Sequence, residues 1–307
     1  MRTAFIEALC TTAEQDERIW LLSGDLGYSV LERFAKQFPH RYVNVGVAEQ
    51  NLAGIAAGLA LSGRIAFIYS IANFPVMRCL EQIRNDICYH QLNVKIVAVG
   101  GGQAYGAAGY SHHAIEDLAV MRALPGMTVV APGDPVETRL ATAALAHYPG
   151  PGYLRLGKAQ EPVVHSHVPP FTIGRAIQLR TGTDLTLIST GGILSVVLAT
   201  AERLTAEGIS VRLLSLHTLA PLDVAAIEQC ARETKAIVTV EEHRRCGGLG
   251  SAVAEVMAEM GLSVRLRRVA VQDQTLALVG SQPYLRNLSG LSVDGLLAAI
   301  HANDQLW

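Results

Sequence analysis

The stretch Tyr42-Val43-Asn44-Val45-Gly46-Val47-Ala48-Glu49-Gln50-Asn51 decides how the rest of the chain is read. Tyr42 to Val47 is a β-type run. It leads into Leu52-Ala53-Gly54-Ile55-Ala56-Ala57-Gly58-Leu59-Ala60-Leu61, a helix of small apolar residues ending at Ser62-Gly63. A strand feeding a helix, with one carboxylate at the junction, places Glu49 where open α/β sheets bind ligands. A lone glutamate there is most often a helix-opening acid favoured by the helix dipole. Val47, Ala48, Leu52 and Ala53 offer it little polar company, so burial is expected to favour its protonated form. A neutral carboxylic acid can donate a hydrogen bond to a ring nitrogen.

Working outward, strands and helices alternate. Strands are predicted at Ile19–Leu22, Ile65–Ile71, Val94–Val99, Met127–Ala131 and Gly152–Leu156. Helices are predicted at Arg2–Ala13, Leu31–Gln37, Val76–Cys88, Ile115–Ala123 and Pro135–Ala146. The second half repeats the alternation, with strands at Leu185–Ser189, Val211–Leu216, Ala236–Glu241 and Val264–Val269 and helices between and after them. This pattern is that of an α/β protein of two domains, each a mainly parallel sheet flanked by helices. The proline- and histidine-bearing stretch Ala159 to Pro170 breaks both periodicities and reads as a linker, giving domains at residues 1–160 and 171–307.

Composition narrows the class. In 307 residues, 50% are hydrophobic and 17% charged, as for a compact chain with much buried surface. A formal net charge of −2 gives no reason to expect nucleic acid or an acidic membrane. Cys10, Cys79, Cys88, Cys230 and Cys246 show neither metal spacing nor a disulfide framework, which indicates a reducing cytosol. No apolar run approaches a membrane span and no signal core follows Arg2, so a soluble, cytoplasmic protein is expected.

The string Val45-Gly46-Val47-Ala48-Glu49-Gln50-Asn51 resembles the catalytic glutamate segment of the transketolase family of thiamine diphosphate enzymes. The likeness extends through Glu81-Gln82-Ile83-Arg84-Asn85, Ser111-His112-His113-Ala114-Ile115-Glu116-Asp117 and Met121-Arg122-Ala123-Leu124-Pro125. In the second half it reaches Thr239-Val240-Glu241-Glu242-His243 and Gly247-Gly248-Leu249-Gly250. It covers a pyrimidine-binding domain and a small carboxyl-terminal domain, most like the separately encoded carboxyl-terminal half of split transketolases. The resemblance implies that Glu49 binds the cofactor's aminopyrimidine ring and drives it to the imino tautomer.

By the same resemblance Phe74 stacks on that ring, with Ile71 as an aliphatic wall where relatives have an aromatic. Asp25 lies near the thiazolium, Ser29, Arg2 and Arg155 contact the substrate phosphate, and His112 contacts the substrate beside the reacting carbonyl. Each also has a plainer reading: Phe74 as core, Asp25 as a turn residue, Ser29 as a helix cap, Arg155 as a surface arginine and His112 as a solvated loop residue. His243 reads as structural or interfacial. No Gly-Asp-Gly occurs, although the family holds its diphosphate and Mg²⁺ with that motif. The chain is therefore expected to form half of a site, completed by an N-terminal transketolase-like partner subunit that carries Gly-Asp-Gly, in a two-fold heterotetramer. The expected reaction moves a two-carbon ketol unit between sugars. The rivals are a 2-oxo acid dehydrogenase β subunit, a deoxyxylulose-phosphate-synthase-like half, or a non-catalytic regulatory paralogue. A nucleotide-binding α/β protein lacks its glycine fingerprint here. Gly100, Ala107 and Ala108 stand where typical transketolases place a histidine and an acidic pair, which predicts a wider, more apolar pocket for an acceptor other than ribose 5-phosphate.

Overall fold

The computed structural model describes residues 1–302. The first half runs α1 (Arg2–Gln15), β1 (Ile19–Ser23), α2 (Glu32–Gln37), β2 (Tyr42–Asn44), α3 (Glu49–Leu61), β3 (Ile65–Ile71), α4 (Asn73–Arg78), α5 (Leu80–Gln82), β4 (Val94–Val99), α6 (Asp117–Arg122), β5 (Thr128–Val130), α7 (Pro135–His147) and β6 (Gly152–Leu156). The second half runs β7 (Ile177–Arg180), β8 (Leu185–Thr190), α8 (Leu194–Ala206), β9 (Val211–Ser215), β10 (Thr218–Ala220), α9 (Val224–Glu233), β11 (Ala236–Arg244), α10 (Leu249–Glu259), β12 (Arg265–Val271), α11 (Gln282–Leu288) and α12 (Val293–His301).

Two sheets result. The first has the order β10-β5-β6-β4-β3-β1-β2, parallel except for β10, and the second β12-β11-β8-β9-β7, parallel except for β7. Strands β3 and β4 are buried over almost their whole length because helices cover both faces, which is why they read as unbroken apolar runs. From β1 the chain moves outward to β2 and then back across β1 to β3. The strand order therefore reverses between β1 and β3, and the crevice at their carboxyl ends is the topological switch point. Two separate apolar clusters sandwich this sheet, one under α3 and α4 and one under α1 and α7.

Four details depart from the sequence reading. The strand expected over Tyr42–Val47 stops at Asn44, because Gly46 turns the chain with a positive φ of 74° before α3 begins at Glu49. The helix expected over Val76–Cys88 is broken at Cys79 and finishes as a π-helical run, Ile83–Cys88. Strands β7 and β10 and helix α11 are additions that the periodicity does not predict. Strand β10, drawn from the second half of the sequence, pairs antiparallel with β5 and joins the first sheet, so the boundary between the sheets is not a single cut in the chain.

Candidate active site

At the carboxyl edge of the first sheet, Glu49 opens α3 with 6% of its surface exposed. The expectation that it lacks polar company is corrected here: Arg78 Nη1 donates to Glu49 Oε1 at 2.9 Å. A guanidinium is the partner of a carboxylate rather than of a neutral acid. Oε2 accepts no hydrogen bond among the described residues. The same guanidinium lies over the Phe74 ring, its carbon 4.2 Å from the centroid, so one planar cation touches both residues expected to meet the pyrimidine. Arg78 and Phe74 meet because they stand four apart on α4.

The cluster continues through His112, whose ring lies 5.1 Å from Phe74 in an edge-on arrangement, to Tyr105, 6.2 Å further on. Asn73 Nδ2 donates to Ser111 O at 2.9 Å and ties the start of α4 to this loop. Phe74 and His112 are half-buried, and Ile71 ends β3 beside them.

After β1, Asp25 and Ser29 both take positive φ, 58° and 63°, conformations that cost a side-chain-bearing residue energy and cluster at functional sites. Asn44 holds Asp25 by a reciprocal pair: Asp25 N–H donates to Asn44 Oδ1, and Asn44 Nδ2 donates to Asp25 Oδ1, each at 3.0 Å. The cap expected of Ser29 is not made. Its backbone N–H instead donates to Glu32 Oε1 at 2.8 Å. Arg2 lies close by, lining a cavity of about 200 Å³ with Leu26, Tyr28, Tyr69, Ile71 and Tyr105.

Arg155 is not part of this cluster. It is 4% exposed and locked between the two sheets: Nε donates to Asp117 Oδ2 at 2.8 Å, and Nη2 to Ala114 O at 2.6 Å and Glu242 O at 3.0 Å. A guanidinium so occupied makes a poor phosphate clamp. The cation beside Tyr105 is instead Lys158, whose Nζ lies 4.7 Å from the ring centre. Glu242 extends the seam, accepting from Gln103 N–H at 2.9 Å and from Arg286 Nη2 at 2.6 Å. His243, read as structural or interfacial, sits in the same seam with Nε2 accepting from Ala119 N–H at 3.3 Å. Gln103 and His113, flanking the bridge between Gly102 and Ala114, are buried with no partner for any side-chain nitrogen or oxygen. Among the described residues no three His, Cys, Asp or Glu side chains gather as a metal site, and no helix is long and apolar enough to cross a membrane.

The pocket is also not wider at Gly100. A Cβ added there would fall 2.2 Å from Tyr105 Cε2, so the Tyr105 ring fills the space that glycine vacates. Arg78, Asn44, Tyr69 and Tyr105 are site residues that sequence reasoning misses. For Arg78, its spacing from Phe74 is the available signal.

The profile described as "Transketolase, pyrimidine binding domain" matches residues 1–162, and "Transketolase, C-terminal domain" matches residues 174–296. The chain is 40% identical over 297 residues to an apulose-4-phosphate transketolase subunit of Phocaeicola vulgatus, covering 96% of this chain and 94% of that one. It is 38% identical over 302 residues to the 6-deoxy-6-sulfo-D-fructose transketolase subunit SqwH of a Clostridium species, covering 98% and 93%. A solved split gene transketolase, described as an inactive beta4 tetramer, superposes with a TM-score of 0.90 at 40% identity, over 99% of this chain and 98% of that one. With its two sheets, its switch-point glutamate and these relatives, the chain belongs to the transketolase family and spans the family's pyrimidine-binding and C-terminal domains.

Proposed function

We propose that the chain is the pyrimidine-binding subunit of a thiamine-diphosphate-dependent transketolase-type enzyme, which moves a two-carbon ketol unit from a ketose to an aldehyde acceptor. The observation that carries this reading is the contiguous set Glu49, Arg78, Phe74 and His112 at the switch point. It fits an aminopyrimidine ring: a buried carboxylate with one oxygen unengaged, beside a half-buried phenyl face. When bound, the cofactor supplies the carbanion chemistry.

This chain's residues do the rest. Arg78 fixes Glu49 Oε1, which leaves Oε2 to hold and return a proton at a ring nitrogen. Phe74 offers the stacking face and Asp25 a carboxylate across the crevice. His112, edge-on to Phe74, offers imidazole nitrogens to the substrate.

The sequence has no Gly-Asp-Gly, so a partner chain carrying it would hold the diphosphate and Mg²⁺. A two-fold heterotetramer in the cytoplasm is the proposed assembly. Two relatives are named as transketolase subunits, and a solved split gene transketolase is described as an inactive beta4 tetramer, which supports a need for the partner.

Calorimetry tests the division of labour. The chain alone should bind the cofactor weakly, and the reconstituted pair tightly and only with Mg²⁺. Tight, Mg²⁺-dependent binding to this chain alone overturns it. Pyruvate decarboxylation without ketol transfer by the pair would instead select a synthase-like or dehydrogenase-like reaction.

A further inference from the structure

Strand β12 is an outer edge of the second sheet, and among the described residues it pairs with β11 alone. Along its free side runs a trough of about 910 Å³. Every residue from Arg265 to Gln274 lines it, so both faces of the strand contribute and the trough follows the edge itself. Opposite stand Gly290 and, on α12, Gly295 and Ala299, small residues that keep this wall back from the strand. The seven residues of β12 offer about 23 Å of edge. In a parallel pair, alternate N–H and C=O groups point away from the neighbouring strand. Those of β12 find no other backbone partner among the described residues.

The charge on the trough is one-sided. Arg245, Arg265, Arg267 and Arg268 line it, and none of them makes an ion pair among the described residues. The only carboxylate among the lining residues, Asp273, is taken by Arg244 at 3.1 Å. The register with β11 puts Arg265 and Arg267 on the face of Val269, toward α12. Arg268 lies on the other face, where its Nη1 donates to Arg245 O and Ser251 Oγ, each at 3.4 Å. Guanidinium groups thus flank the open edge on both sides. Charged side chains commonly blunt a free edge against copies of itself, and these do so, since two paired β12 strands would crowd their arginines together. The charges that repel a second copy attract a strand of opposite sign.

We propose that this trough docks an extended, acidic peptide segment of a protein partner, which joins the five-stranded second sheet beside β12 as a sixth strand. Backbone pairing along the edge supplies affinity, and charge selects the partner. Alternate side chains of an added strand fall to opposite faces of the sheet, where carboxylates meet the guanidinium forks.

The test is fluorescence anisotropy of the full chain with a labelled peptide of alternating glutamate and valine, about eight residues long to match β12. Binding should saturate at low salt and weaken steeply as salt is raised, and the lysine–valine counterpart should not bind. The same glutamate peptide with its amides N-methylated keeps its charge but cannot pair along the edge, and should bind about tenfold or more weaker. Arg267→Glu, and separately Arg265→Glu, should each weaken the glutamate peptide about tenfold or more with a melting point near wild type. Arg64→Glu, at an exposed position of the first domain, changes net charge equally and should leave binding as it is.

Equal losses from Arg64→Glu and Arg267→Glu would reduce the binding to net charge and overturn the proposal. So would an N-methylated peptide that binds as well as its parent. Inorganic triphosphate that displaces the peptide and binds as tightly would make the trough a small-anion site instead. Self-association of the chain that Arg267→Glu alters in sedimentation would give the edge to a second copy, and would equally overturn it.

Discussion

Between the two sheets, Arg155, Asp117, Glu242 and Arg286 engage one another almost completely. At the carboxyl edge of the first sheet, Glu49 Oε2 is left without a hydrogen-bond donor and Arg2 without a counter-charge among the described residues. Both regions are rich in charge, and both lie on strings that mark the family. The seam closes its hydrogen bonds inside the chain, with Gln103 and His113 as the exceptions, so its charges serve to dock one domain on the other. The edge leaves polar groups open, as the proposed cofactor and substrate site requires. Similar residue types thus separate by whether their partners are internal.

The sharpest way to break the comparison is at Glu49. Glu49→Gln keeps the shape but removes an anionic proton acceptor, so exchange of the cofactor's acidic C–H for deuterium in the reconstituted enzyme should slow roughly 10²–10⁴-fold. Thermal unfolding should stay close to wild type, since Glu49 belongs to the edge and not the seam. Exchange at the wild-type rate would return Glu49 to the role of a helix opener.

The seam should respond through stability instead of rate. Asp117 is 1% exposed and accepts from Tyr153 Oη at 2.6 Å as well as from Arg155. Asp117→Asn leaves a buried guanidinium short of its counter-charge and is expected to cost about 3–5 kcal/mol in urea unfolding of the chain. A variant of normal stability with a raised KM for phosphorylated substrates would make Arg155 a substrate clamp after all.

Arg155 shows where legibility ended. The alternation of strand and helix was readable because buried parallel strands are long apolar runs, and Glu49 was readable because the junction after β2 is local in sequence. Arg155 at a strand end reads alike whether it grips phosphate or a carboxylate, and the Asp117 carboxylate it bonds is 38 residues away. Strand β10 has three residues, too few for periodicity to register, and its partner β5 lies in the other half of the chain. Tyr105 packs on Gly100 through a turn that carries no periodic signal.

pH sharpens the seam further. His243 is fully buried, its Nδ1 bonded to Arg244 O at 2.7 Å, and burial pushes its pKa down to about 4. An unfolded histidine titrates near 6.5, so between about 6.5 and 4 the unfolded chain binds the extra proton and native stability falls as pH falls, by about 3 kcal/mol in all. Glu241 opposes this: burial lifts its carboxyl to about 7, so its contribution falls as pH rises through the same region. The difference between wild type and His243→Gln isolates the histidine. Urea unfolding at pH 7, 5.5 and 4 should show wild type losing about 3 kcal/mol relative to the variant. Parallel pH profiles would mean that His243 is not held neutral in the folded chain.

The smallest effect should come from the edge residue that most resembles the seam. Arg78 has an internal partner, Glu49, yet half of its side chain is exposed (51%), and it owes its position to the Phe74 face as much as to the carboxylate. With the guanidinium end half exposed, Arg78→Lys, which keeps the counter-charge, should move stability by only about 0–1 kcal/mol, whereas Arg78→Ala leaves the buried Glu49 carboxylate unpaired and should cost more, about 1–3 kcal/mol. Their difference should also appear in the rate. Lysine keeps a cation but has no planar fork to stack and donate at once, so Glu49 loses the fixed direction of Oε1 while its counter-charge survives. Arg78→Lys is expected to slow deuterium exchange several-fold, about 1 kcal/mol, and Arg78→Ala more. If Arg78→Lys and Arg78→Ala slow exchange equally, the stacked planar geometry and the charge would be inseparable. If neither slows it, Glu49 takes its orientation from the opening turn of α3 alone.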